Sequence, residues 1–278
     1  MNVYKTKRER IMTIGQIVAG TVVSLAFVAP LLWMVSTALK QGNQAFSEIP
    51  TVFFYPTLEN LRHVFVESKF GSALATSLFT AISSTILALI LGSGIAYPLA
   101  RRRVPGQKHL SSWILSLRII PPIVVIIPLF LLLRTVGLTG SIWSLVIVYT
   151  YMNLPLTVWL MRSFFADMPI EIEEAAYVDG CTPFGTFLRI TVPLTLPGIV
   201  ATGLLAFIFA WNEFLFANVL TGAGTRTAPV GLTEYVTPVS VEWNNIMAAG
   251  TVVVLPVWIG ALAAQKYLVR GLTLGAVK

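Results

Sequence analysis

Residues able to do covalent or metal chemistry are scarce in this chain of 278. Cys181 is the only cysteine, and His63 and His109 are the only histidines, set in different polar stretches. A lone cysteine can form no intrachain disulfide and no cysteine metal cluster. A nucleotide-cradling loop needs Gly-x4-Gly-Lys-Ser/Thr, yet no lysine here follows a glycine. We therefore expect no catalytic residue, no metal ligand set and no cofactor held by the chain itself. Any ATP and Mg2+ that power its function belong to another protein.

The remaining polar groups with a recognisable arrangement lie in one segment. Asp167-Met-Pro-Ile-Glu171-Ile-Glu173-Glu174-Ala-Ala-Tyr-Val-Asp179-Gly180 carries a cap at Asp167 or Met168, a proline in the first turn and three glutamates near the N-terminal end. Each favours a helix start. Gly180 supplies a left-handed stop. Thr182 then caps again, Pro183 takes the first helical position, Phe184–Ile190 forms a second short helix, and Pro193 and Pro197 close the segment. The expected product is a polar helix–turn–helix over about 167–193: either a solvated amphipathic connection or a stiff knob that docks on a partner.

The elements that must hold this segment are apolar. Only 11% of residues are charged and 56% are hydrophobic, with mean hydropathy +0.80. Soluble domains carry about 25% charged residues, so the bilayer must solvate much of this surface. A spanning helix needs about 20 apolar residues. Six stretches qualify: Ile11–Leu39, Gly71–Leu99, Leu110–Leu133, Ser141–Met161, Gly198–Leu220 and Ile246–Leu268. Alternating ten-residue strands of a membrane barrel are absent. The fold class expected is all-α, a polytopic bundle of six transmembrane helices forming one permease domain over 1–278. The N-terminal apolar run is too long for a signal-peptide core and is read as a retained helix.

Basic residues orient the bundle. With the N-terminus inside, inner segments hold 13 Lys and Arg and outer segments hold 5, which places both termini in the cytoplasm and the 167–193 segment with them. The net charge of +7 comes from clusters flanking spans, Lys5 to Arg10 and Arg101 to Lys108, which excludes a nucleic-acid partner and fits membrane lipid. The outer stretch from Lys40 to Phe70, with Pro50, Pro56, Phe53, Phe54 and Tyr55, is expected to cap the membrane surface.

Glu174-Ala175-Ala176, three residues, Gly180, nine residues and then Ile190-Thr191-Val192-Pro193 resembles the EAA loop of ABC importer permeases, with Val192 in place of the family's leucine. Trp211-Asn212-Glu213-Phe214 and the ending Gly271-Leu272-Thr273-Leu274-Gly275-Ala276-Val277-Lys278 resemble the carbohydrate permeases of the maltose-transporter MalG type. The resemblance implies a type I importer permease fold in a bacterial or archaeal cytoplasmic membrane. It also implies a heterodimer with a second permease, two ATPase subunits and an extracytoplasmic sugar-binding protein. By the same resemblance Glu174, Ala175, Ala176, Asp179, Gly180 and Pro193 make the coupling contact with the ATPase. The tail over about 269–278, with Gly271, Thr273, Gly275 and Lys278, reaches the ATPase pair too.

Ionisable residues inside spans are functional candidates. Asn212 and Glu213, toward the outer end of the fifth span, are either a buried partner of helix backbone or pathway-lining groups that bond sugar hydroxyls. Arg118 is read as snorkelling to the inner interface. Pro121, Pro122, Pro128, Pro155 and Pro256 interrupt spans three, four and six, bends suited to a pathway that opens alternately. An ion-coupled transporter would need a relay of intramembrane acids. An intramembrane enzyme would need a nucleophile–base pair or a metal cluster. Neither set is present.

Overall fold

The structure is a computed structural model that describes residues 7–46, 51–101, 104–238 and 240–274. Among them the backbone is helical, with a single isolated bridge, Val236 to Val241. Four helices are long and apolar enough to cross a membrane, and two sharply bent pairs raise the number to six. The long helices are α1 (Lys7–Ala38), α2 (Phe70–Ala100), α5 (Ile142–Asp167) and α10 (Trp243–Leu274). The bent pairs are α3 (Gln107–Ser116, ending in a tighter turn to Ile119) with α4 (Pro122–Thr135), and α7 (Pro183–Leu194) with α8 (Leu196–Trp211). Between them lie α6 (Ile170–Val178) and α9 (Leu215–Leu220).

Packing divides the chain into two compact units, one of residues up to 69 with 234–254, the other of residues 70–233 with those from 255 onward. In the larger unit α2 lies along α5, and α8 packs on both. The buried face of α2 is built of small residues, among them Ala73, Ser77, Ala81, Ser84, Ala88, Gly92 and Ala96. In a membrane, where burying apolar groups against one another gains little over lipid, such faces let backbones approach and gain dispersion contacts. Gly92 shows how close: a Cβ there would lie 2.6 Å from Cγ2 of Thr157 on α5.

Two expected spans are not single helices. The third breaks at Ile120–Pro121, where α3 and α4 meet at 91°. Pro121 and Pro122 carry no amide hydrogen, so the helical ladder cannot continue through them. The fifth was read as continuous over Gly198–Leu220 but ends at Trp211 and restarts at Leu215. The cause is polar: the Glu213 carboxylate accepts from the backbone N–H groups of Phe216 (3.0 Å) and Ala217 (3.1 Å), satisfying the amides that a new helix start leaves open.

In the smaller unit, the Asn60 side-chain amide donates to the carbonyls of Ala38 and Lys40, both at 2.8 Å. It ties the expected outer cap to the end of α1. Lys40, counted in the sequence as a loop charge, is instead buried, its Nζ 4.3 Å from the Trp33 ring centre and 5.5 Å from that of Phe54. Phe53 and Tyr55 are almost fully exposed. Pro50 lies outside the described residues.

Candidate functional site: the loop helices and a cavity between broken spans

The loop between α5 and α8 forms as two helices with the expected turn. Its start differs: α5 runs on to Asp167, Pro169 takes the cap position, and no side chain caps α6. Neither Asp167 nor Met168 does so: Asp167 is the last residue of α5, and Met168, preceding a proline, is extended. The stop is as read. Gly180 has φ +84°, and the N–H groups of Cys181 and Gly180 donate to the carbonyls of Ala176 (2.9 Å) and Tyr177 (3.1 Å). These are the paired bonds of a left-handed helix terminus. Thr182 accepts from the Gly185 N–H at 3.1 Å and Pro183 opens α7. The second helix is longer than Phe184–Ile190: it continues to Leu194 with a wide turn over Phe187–Thr191 and passes through Pro193. The wide turn lies just ahead of Pro193, which has no amide hydrogen to donate to the helical ladder.

What holds the loop in place was not foreseen. Glu173 is fully buried. One carboxylate oxygen accepts from Nε (3.0 Å) and a terminal nitrogen (2.9 Å) of Arg101 and from the Thr191 hydroxyl (3.0 Å); the other accepts from the Tyr97 hydroxyl (3.0 Å). Arg101 also donates to the Met168 carbonyl at 3.2 Å. One carboxylate thus joins the end of α2, the α5–α6 junction, α6 and α7. The rings of Tyr97, Phe165 and Phe187 pack together beside it, with centroids 4.8–6.0 Å apart. Arg101, read in the sequence as part of a membrane-anchoring basic cluster, is a buried ion-pair partner. Arg102 and Arg103 lie outside the described residues. No local pattern links Arg101 to Glu173 across 72 residues of chain. The one local hint was that Glu173 and Ala176 share a face that Glu171, Glu174 and Asp179 do not.

The free face follows from that clamp. Glu174, Ala175, Asp179, Gly180 and Pro193 are exposed, and Val178 is 88% exposed. Ala176 is turned inward and buried, so of the expected contact residues it alone points into the chain. Phe184, 70% exposed, extends the same polar and apolar mixture onto α7. For the tail, Gly271 and Thr273 lie within α10, while Gly275 and Lys278 lie outside the described residues.

A second feature lies in the larger unit. The α3–α4 break, α5 and the end of α8 enclose a cavity of about 250 Å³, lined by Arg118, Tyr149, Asn153, Phe209, Glu213 and Phe216 among others. Tyr149 and Asn153 sit one turn apart on α5 and are nearly fully buried. The Tyr149 hydroxyl, which lines the cavity together with Glu213, meets no hydrogen-bond partner among the described residues. Arg118, read as snorkelling to the interface, places its guanidinium 4.6 Å over the Phe209 ring. Glu213 bonds helix backbone and lines the cavity. Asn212 does not line it, since its amide turns back to the Ile208 carbonyl at 2.8 Å.

Comparison with known proteins identifies the family of this membrane bundle. Residues 84–274 match the family described as binding-protein-dependent transport system inner membrane component, and the chain belongs to it. It is 37% identical over 92% of its length to a probable ABC transporter permease, y4oR of Sinorhizobium fredii, covering 92% of that protein. It is 35% identical over 90% of its length to the trehalose transport permease SugB of Mycobacterium tuberculosis, covering 92% of it. With the trehalose/maltose permease MalG of Thermococcus litoralis it shares 31% identity over 98% of this chain and 99% of that one. The fold is that of a bacterial ABC transporter involved in alginate import, with TM-score 0.77 and 22% identity, covering 96% of this chain and 99% of that one. The protein is a multi-pass ABC importer permease subunit.

Proposed function

We propose that this permease forms half of a sugar pathway with a second permease, receives its cargo from an extracytoplasmic binding protein, and docks α6 and α7 on a separate ATPase. Permeases of this family named for trehalose, maltose and diacetylchitobiose support the sugar class. The observation that carries the coupling role is the Glu173 clamp. A helix pair tied to the end of α2 and to the α5–α6 junction moves as one body with them, so force on its exposed face reaches the spans. Both termini and the loop face the cytoplasm in this reading, by the bias of basic residues.

Docking is tested at Ala175, whose small side chain is exposed. Ala175→Trp should insert normally, abolish ATP-dependent uptake of labelled trehalose, maltose or diacetylchitobiose in vesicles, and release the co-purifying ATPase. Ala176→Trp is the wrong test, because it would overpack the interior. Wild-type uptake and ATPase retention in Ala175→Trp would remove the docking role. Sidedness is checked in a Cys181→Ala background: an impermeant thiol reagent added outside intact cells should modify Gly224→Cys and spare Asp179→Cys. The reverse result inverts the topology.

A further inference from the structure

We propose that this chain holds a substrate subsite of its own: the cavity between the α3–α4 break, α5 and the α8–α9 break takes one sugar ring. The proposal rests on the sugar reading above and adds to it which residues touch the cargo.

Two independent interruptions of apolar helices meet at one hole. Irregular backbone at membrane depth is tolerated where it is buried in protein or lines a water-filled cavity, and in transporters broken helices mark binding sites. The break at Ile120–Pro121 brings Leu117, Arg118 and Pro122 to the wall, and the break after Trp211 brings Glu213. Glu213 also caps the restarted helix, whereas Tyr149 and Asn153 bring to the same hole polar groups that no helix start requires. Tyr149 and Asn153 are buried on α5, at a depth where a polar side chain carries a desolvation penalty unless it finds a partner.

The lining selects the ligand chemistry. Glu213 offers carboxylate oxygens, Tyr149 a hydroxyl that donates or accepts, and Asn153 an amide that does both. Such a set suits vicinal hydroxyls, each of which donates once and accepts. The lining also includes Phe209 and Met152, apolar groups that fit the C–H face of a pyranose. The volume of about 250 Å³ lies just under the roughly 300–1,000 Å³ of sites for larger organic ligands, which limits the occupant to one ring. A longer sugar would occupy the cavity one ring at a time.

The test places a thiol in the wall. Met152→Cys in a Cys181→Ala background is assembled with its partner subunits, without the binding protein, and treated with a small methanethiosulfonate. Trehalose, maltose and diacetylchitobiose are each added as protectants, and the same three are offered to vesicles for uptake. A sugar that is taken up should slow labelling. Tyr149→Phe, which removes one hydroxyl and little volume, should raise the half-protecting concentration roughly two- to tenfold, the range for one hydrogen bond. Uptake without protection overturns the subsite and leaves the sugar permease standing. Protection unchanged by Tyr149→Phe overturns the assigned reading of hydroxyls. Labelling seen only after the subunits are separated makes the cavity an interface between permeases and also overturns it. Uptake of none of the three removes the sugar reading, and the subsite with it.

Discussion

The loop and the cavity each set a carboxylate at an interrupted helix, Glu173 fully buried and Glu213 half-buried, and they use it in opposite ways. At the loop, every oxygen of Glu173 is taken by the chain's own donors, Arg101, Tyr97 and Thr191. A fully satisfied network in low dielectric rigidifies what it joins. At the cavity, Glu213 gives its oxygens to two amides at the wall, and the wall leaves an open volume that Tyr149 and Asn153 border. A filled interruption transmits displacement, whereas an open one can receive a ligand. The difference is set by which donors the neighbouring helices supply.

The contrast breaks most visibly at the clamp. Removing one partner of a buried ion pair leaves an uncompensated charge, worth about 3–5 kcal/mol. Glu173→Ala and Arg101→Ala should therefore lower the thermal midpoint of the purified complex strongly and lose ATPase association. The paired replacement Glu173→Leu with Arg101→Met should recover part of the midpoint, since no charge is stranded. It should recover less of the uptake per ATP hydrolysed, because the joint between α2, α6 and α7 is gone. If the single variants melt with wild type, the clamp carries no load and the two regions are alike.

Gly180 comes next. Its φ of +84° lies in the left-handed region, where a β-branched residue is strained by roughly 1–2 kcal/mol. Open space surrounds the glycine, so Gly180→Val should tilt α7 relative to α6 rather than clash. The measurement is sugar moved per ATP, which should fall with the spans intact. An unchanged ratio would show that the angle of the knob is immaterial. Thr182→Ala removes one cap, worth about 1 kcal/mol, and should mainly raise hydrogen exchange over Pro183–Thr186.

Glu213→Gln sharpens the other side of the comparison with the smallest effect on stability. A carboxamide oxygen can still accept from Phe216 and Ala217, so the thermal midpoint should shift by less than about 1 kcal/mol equivalent. Sugar protection of Met152→Cys should weaken all the same. A large loss of stability with unaltered protection would make Glu213 a structural cap and nothing more.

Much of the loop over 167–193 was legible because its signals are local. Thr182, Pro183 and Gly180 act within a few residues, through caps and a backbone angle that each residue type favours by itself. The long spans were legible for a similar reason, since about 20 apolar residues in a row have one favourable environment. The fifth span misled because Glu213 in an apolar run looks like a residue carried by a helix, when its carboxylate ends one helix and starts another. Arg101 misled because a basic residue after a span reads as an interface anchor unless its partner is known.

By itself, then, the sequence determined a six-span membrane protein with a polar helix pair on one loop. Composition and short-range backbone preference decide such things, whatever the chain does elsewhere. Only the tertiary structure decided that Glu173 rather than Glu174 is the buried acid, that Ala176 points inward, and that two breaks 90 or so residues apart in sequence share one cavity with Tyr149 and Asn153. Those facts depend on which helices pack side by side. The small residues along α2 permit that packing, but nothing in their spacing names the partner.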